Sequence, residues 1–168
     1  MVQVQVHIVG VAVDSSAQHL ILLKPLDEDD GTGRMLPIWI GPQEATSILI
    51  AVEGAHAPRP LSHDLMKTLL EAVGATVERV DVTKIEDGTF YAEISLRTEK
   101  GRLVLDSRPS DAIAIAARVD APIWVNDDVL EEAGIADESE KADPIDEEAR
   151  LDEFRKFLDD VDPEDFQG

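Results

Sequence analysis

The sequence predicts an α+β fold, a sheet covered by helices and built from an internally duplicated strand-strand-strand-helix-helix unit. Three observations lead there. Val2, Val4, Val6 and Ile8 alternate with Gln3, Gln5 and His7, the period-two pattern of a half-buried strand. Phe90, Ala92, Ile94 and Leu96 alternate in the same way with Tyr91, Glu93, Ser95 and Arg97. They follow Glu86-Asp87-Gly88, whose Asp-Gly step supplies the positive φ angles of a tight hairpin. Finally, Leu36–Ile48 overlays Leu103–Ile115 at a constant offset. Each copy is a strand, a proline, an acid two residues on, then an alanine and an apolar face.

Taken in order, strands are expected near residues 2–13, 19–26, 34–40, 75–85, 89–98 and 101–106, with a short one at 122–125. Helices fit 42–53, 61–73, 109–119 and 127–133. The acidic, glycine-containing run from Asp27 to Gly33 is a loop, since it has nothing apolar to bury. The helices at 42 and 109 open on a proline at N1, where its missing N–H is harmless. The helix at 61 opens on Ser62 as cap, with His63 at N1 and Asp64 at N2, and a staple from Leu61 to Met66. These elements make one domain over residues 1–133. Residues 134–168 read as an acidic linker and a short amphipathic helix, from Asp143-Pro144 to about Asp160, with Leu151, Phe154, Phe157 and Leu158 on one face. That face either folds back on its own domain or docks another protein chain.

Charge narrows the functions. The formal net charge is −21, and its distribution matters more than its size. Residues 1–126 hold 18 acids and 11 bases, whereas residues 127–168 hold 18 acids and 4 bases. A bare electrostatic grip on nucleic acid by the whole surface is disfavoured, although a local site is not. There are no cysteines, which excludes disulfides and thiol metal sites. No run of roughly 18 apolar residues suggests a membrane span, and no signal-peptide pattern opens the chain, so the cytoplasm is expected.

The residues that carry chemistry cluster at helix starts. Glu44 and Asp111 fall at N3, inside the positive end of the helix dipole. They serve either as helix-start stabilisers or, if the two starts converge, as carboxylate ligands of Mg²⁺ or Mn²⁺. Asp106-Ser107-Arg108-Pro109-Ser110-Asp111 is the densest polar stretch of the body. Arg108 offers a planar fork for phosphate oxygens, or a salt bridge that pins the strand–helix corner. His63 has the pKa of a general acid or base, but a lone histidine projecting from a helix start is more often merely solvated. No phosphate-binding glycine loop, zinc-protease or serine-hydrolase pattern is present.

Four blocks then resemble the bifunctional nuclease domain family of bacteria and plants. They are LPIWIGPQEA at Leu36–Ala45, RPLSHDLM at Arg59–Met66, FYAEI at Phe90–Ile94 and DSRPSDAIAIAAR at Asp106–Arg118. Ser62 stands where the family often has threonine. The resemblance implies an α+β fold, self-association as a homodimer, and cleavage of DNA and RNA phosphodiesters. It implies no catalytic assignment. From residue chemistry, Glu44, Asp106 and Asp111 would hold the metal, Arg108 the phosphate, and His63 would move a proton. Exposed strand edges, chiefly residues 1–13 and 89–98, would carry the dimer contact. The competing class is a non-catalytic interaction module with a partner-docking acidic tail. Acidity and the scarcity of aromatic residues favour it, because single-strand binders stack bases on aromatics.

Overall fold

In the first strand, β1 (Gln3–Val13), the alternation buries Val6 and leaves Gln3 and His7 exposed. A bulge between Ile8 and Gly10 resets the phase, so Val11 packs again on the core. The computed structural model describes residues 2–29, 31–138, 151–153 and 155–156. After β1 come β2 (His19–Pro25), β3 (Arg34–Trp39), α1 (Pro42–Val52) and α2 (Ser62–Ala72). Then follow β4 (Thr76–Glu86), β5 (Thr89–Thr98), β6 (Gly101–Ser107) and α3 (Pro109–Val119). The last elements are β7 (Ile123–Asn126), α4 (Asp127–Ala133) and β8 (Ile135–Ala136).

The strands form one mixed sheet in the order β6-β5-β4-β7-β1-β2-β3-β8, which makes the fold α+β. Two meanders, β1-β2-β3 and β4-β5-β6, meet on β7, which runs antiparallel to β1 and parallel to β4. One face is apolar: Val6, Ile21, Leu23, Leu36, Ile38, Val80, Val82, Ile94, Ile123 and Val125 are all buried. Against it pack Ile48 of α1 and Ala112, Ile113, Ile115 and Ala116 of α3. Each large aliphatic side chain there contributes about 1.5–3 kcal/mol by burial. The alanines keep α3 close to the strands and to α1, which brings the two proline-started helix ends together.

Three expectations change. Segments 1–13 and 89–98 are not sheet edges, because β7 covers β1 and the β5–β6 hairpin puts β6 outside β5. Helix α2 starts one residue earlier than its sequence suggests: Leu61 is the extended N-cap, so Ser62 does not cap, and Asp64 stands at N3. From N3 its carboxylate can receive the Leu61 N–H at 2.9 Å, the return half of a capping box. The packed domain also runs past residue 133. Strand β8 pairs with the start of β3, and beyond it Asp137 forms an ion pair with Lys24, both groups being almost fully buried. A lysine ammonium inside the domain needs such a counter-charge.

Residues 151–153 and 155–156 are helical, and Leu151 is exposed. Asp143-Pro144, Phe154, Phe157 and Leu158 lie outside the described residues. Among the described residues no helix is long and apolar enough to cross a membrane.

Candidate active site

The two proline-started helices converge through one arginine. At the start of α1, Glu44 folds back over Gly41, and a Cβ on that glycine would collide with the carboxylate. Arg108, the N-cap of α3, lies between the two acids. Its Nε donates to Asp111 Oδ2 at 2.9 Å and its Nη2 to Asp111 Oδ1 at 3.2 Å. The same Nη2 donates to Glu44 Oε1 at 3.1 Å. Asp111 therefore holds the guanidinium by two bonds and Glu44 by one.

Behind this pair the polar chain continues inward. Asp111 Oδ1 also lies 2.8 Å from His63 Nε2, and His63 Nδ1 lies 2.7 Å from Ser47 Oγ. The carboxylate accepts, so Nε2 carries a proton. In the neutral ring Nδ1 then accepts from the Ser47 hydroxyl. Ser47 Oγ in turn accepts from Arg118 Nη2 at 3.0 Å, and Arg118 Nε donates to Asp64 Oδ1 at 2.7 Å. One chain of bonds thus runs Glu44–Arg108–Asp111–His63–Ser47–Arg118–Asp64 and ties α1, α2 and α3 together.

His63 is not the solvated histidine expected; it is 6% exposed and bonded at both ring nitrogens. Sequence reasoning missed Ser47 and Arg118 as site residues. The available signal was their position: a serine and an arginine on helix faces otherwise filled with alanine and isoleucine.

Asp106 stands apart from this cluster. It pairs across β5 with Glu93, next to Tyr91 and Lys84, on the sheet face opposite Ala92 and Ile94. Strand alternation is the reason: Ser107 takes the inner face and Asp106 the outer. Glu44, Asp106 and Asp111 therefore do not converge, and among the described residues no group of three or more histidine, aspartate or glutamate side chains could hold a metal ion. The two acids that do converge are both engaged by Arg108. As a donor set for Mg²⁺ or Mn²⁺ the arrangement does not fit.

Arg108 opens onto a cleft of about 680 Å³. It is lined by His19, Trp39, Phe90 and Ser110 and by both helix starts, Gly41-Pro42 and Arg108-Pro109. Trp39 is half exposed, and its indole N–H donates to Asp14 Oδ2 at 3.0 Å. The positive ends of two helix dipoles and a guanidinium on one cavity favour an anion.

The electrostatics agree with the bonds. Burial pushes the Asp111 carboxyl up, but hydrogen bonds from Arg108 and His63 outweigh it and hold the pKa below the usual range. Asp64 behaves alike: burial raises it, and Arg118 and the Leu61 N–H bring it lower still. Arg108 is held more firmly protonated, first by Asp111 and then by Glu44.

This fold, with a cleft at its paired helix starts, is found in a chain whose sequence matches the bifunctional nuclease domain over residues 25–138. The chain belongs to that family. An uncharacterized protein of Mycobacterium tuberculosis is 40% identical over 167 residues, spanning 98% of each chain. Bifunctional nuclease 1 of Oryza sativa subsp. indica is 34% identical over 116 residues, 67% of this chain and 34% of its own. Bifunctional nuclease 2 of Arabidopsis thaliana is 35% identical over 104 residues, 60% of this chain and 32% of its own. This chain spans about a third of the plant nucleases it matches.

Proposed function

We propose that the protein hydrolyses phosphodiester bonds of DNA, RNA or both, in the Arg108 cleft. One observation carries the reading: an exposed guanidinium at two converging helix starts, in a cleft that also contains an imidazole and an indole. Arg108 takes two phosphate oxygens by its fork and stabilises the charge that develops on them. To do so it releases Glu44, its single bond, and keeps Asp111, its double one. His19 takes the proton of the attacking water or returns one to the leaving oxygen. Trp39 and Phe90 give a base an apolar wall. Asp111 and His63 are positioning residues that hold Arg108, since neither lines the cleft. No step runs through a metal.

The test is a cleavage assay of purified protein on single- and double-stranded DNA and RNA, with Mg²⁺, Mn²⁺ or a chelator. Cleavage by wild type that falls by roughly 100-fold in Arg108→Ala and in His19→Ala supports the reading. Undiminished cleavage in Arg108→Ala would place the chemistry elsewhere. The closed network favours a second reading, a non-catalytic module, because among the described residues no buried side-chain nitrogen or oxygen lacks a partner. Wild type that cleaves no substrate in any arm would favour that reading.

A further inference from the structure

We propose that Glu44 determines which anions the Arg108 cleft accepts: its carboxylate holds the place of one ligand oxygen, so the cleft turns away carboxylates and admits phosphate. The inference rests on the phosphodiester reading above and deepens it. A guanidinium has five N–H donors and can grip an anion by two parallel bonds along either of two open edges. Asp111 takes the edge made by Nε and Nη2 of Arg108. The other edge is that of Nη1 and Nη2, and Glu44 Oε1 takes the second Nη2 hydrogen at 3.1 Å. A ligand that grips this edge by two oxygens therefore has to displace Glu44.

The helix start is built to place Glu44 there. Gly41, the N-cap of α1, has φ −71° and ψ 158°, an extended conformation that any residue adopts. What the glycine supplies is room, because a Cβ would occupy the space of the Glu44 carboxylate. The exchange at Arg108 then sets the specificity. A foreign carboxylate replaces Glu44 by an identical group, gains no bond, and competes against a tethered one. A phosphate brings oxygens beyond the two on the fork, and the helix starts and Ser110 on the same cleft can donate to them. The distinction matters in this chain, because residues 127–168 carry 18 acids that an open cationic cleft would attract.

Titration of the full chain with sodium phosphate and with sodium acetate, at constant ionic strength, tests this. The NMR signal of the Trp39 indole, on the cleft wall, reports binding. Wild type should bind phosphate and take acetate at least roughly tenfold more weakly. Glu44→Gln should tighten phosphate by roughly five- to tenfold and bring acetate to within about threefold of it, since a charged self-ligand is gone. Gly41→Ala keeps the charge but pushes the carboxylate off Arg108, so it should shift both affinities the same way by a smaller factor. A Glu44 that merely pinned the corner would give neither gain. On an oligonucleotide, Glu44→Gln should also lower KM. A wild type that cleaves nothing, while both variants still tighten phosphate, would sink the phosphodiester reading and support the role of Glu44. Phosphate bound no tighter by either variant, acetate bound by wild type as well as phosphate, or a wild type that binds neither would overturn the inference whatever the cleavage shows.

Discussion

At Arg118, a side chain almost fully buried, the positive charge is balanced by the half-exposed carboxylate of Asp64. Ser47, His63 and Asp111 extend that balance to the surface, so each member keeps the next in place. His63→Ala takes from the Ser47 hydroxyl its acceptor and from Asp111 one of its donors, while Arg118 and Arg108 stay bonded to them, and should destabilise by about 1–3 kcal/mol through the hydroxyl left without an acceptor. Urea unfolding at neutral pH measures it. The same network sets an acid limit. Asp64 and Asp111 have pKa values lower in the folded chain than in the unfolded one. Their contribution is therefore complete above the unfolded carboxyl range, near about pH 4, and is lost as pH falls through the lower folded values. Asp64→Asn should lower stability at pH 7 and flatten its decline from about pH 4 to 2. An unchanged acid slope, with equal losses at every pH, would show that Asp64 is not one of the groups responsible.

Strand β8 is two residues long, and its value lies in the aspartate that comes directly after it. Asp137 pairs with Lys24 and accepts the Gly31 N–H at 2.9 Å, so it fastens the loop before β3 as well. Asp137→Asn leaves a buried ammonium without its counter-charge and should cost about 3–5 kcal/mol. Truncation after Ile135 should do the same, while truncation after Glu138 should leave the melting temperature near that of the whole chain. Equal melting of the two truncations would show that the Lys24 pair is unimportant. Periodicity reported β1, β5, α1 and α3 well, because each buries apolar residues along one face. It could not report which strand lies outermost, since that depends on a long-range crossover placing β7 between β1 and β4. The site was legible in the same uneven way. Prolines marked the helix starts and fixed Glu44 and Asp111, but strand alternation removed Asp106, and nothing local showed that His63 would point inward to Ser47.

For the whole molecule, a net charge of −21 sets the terms on which it meets a polyanion. Most nucleic-acid binders lose affinity steeply as salt rises, through competition for phosphate contacts. On the proposed function the general field repels the substrate while the Arg108 cleft attracts it, so screening should relieve repulsion. Between roughly 50 and 200 mM salt, kcat/KM on an oligonucleotide should hold steady or rise rather than fall by orders of magnitude. The central claim is that the Arg108 corner acts on phosphodiesters and is not simply a structural pin. Cleavage and thermal melting of Arg108→Ala and Arg108→Lys, measured on the same preparations, test it most directly. Arg108 is largely exposed, so its ion pairs should stabilise by no more than about 1 kcal/mol, and both variants should melt close to wild type. Cleavage should fall by roughly 100-fold in Arg108→Ala and remain impaired in Arg108→Lys, which keeps the charge but loses the fork. Variants that melt much lower yet cleave as wild type does would contradict the claim and leave the arginine as architecture.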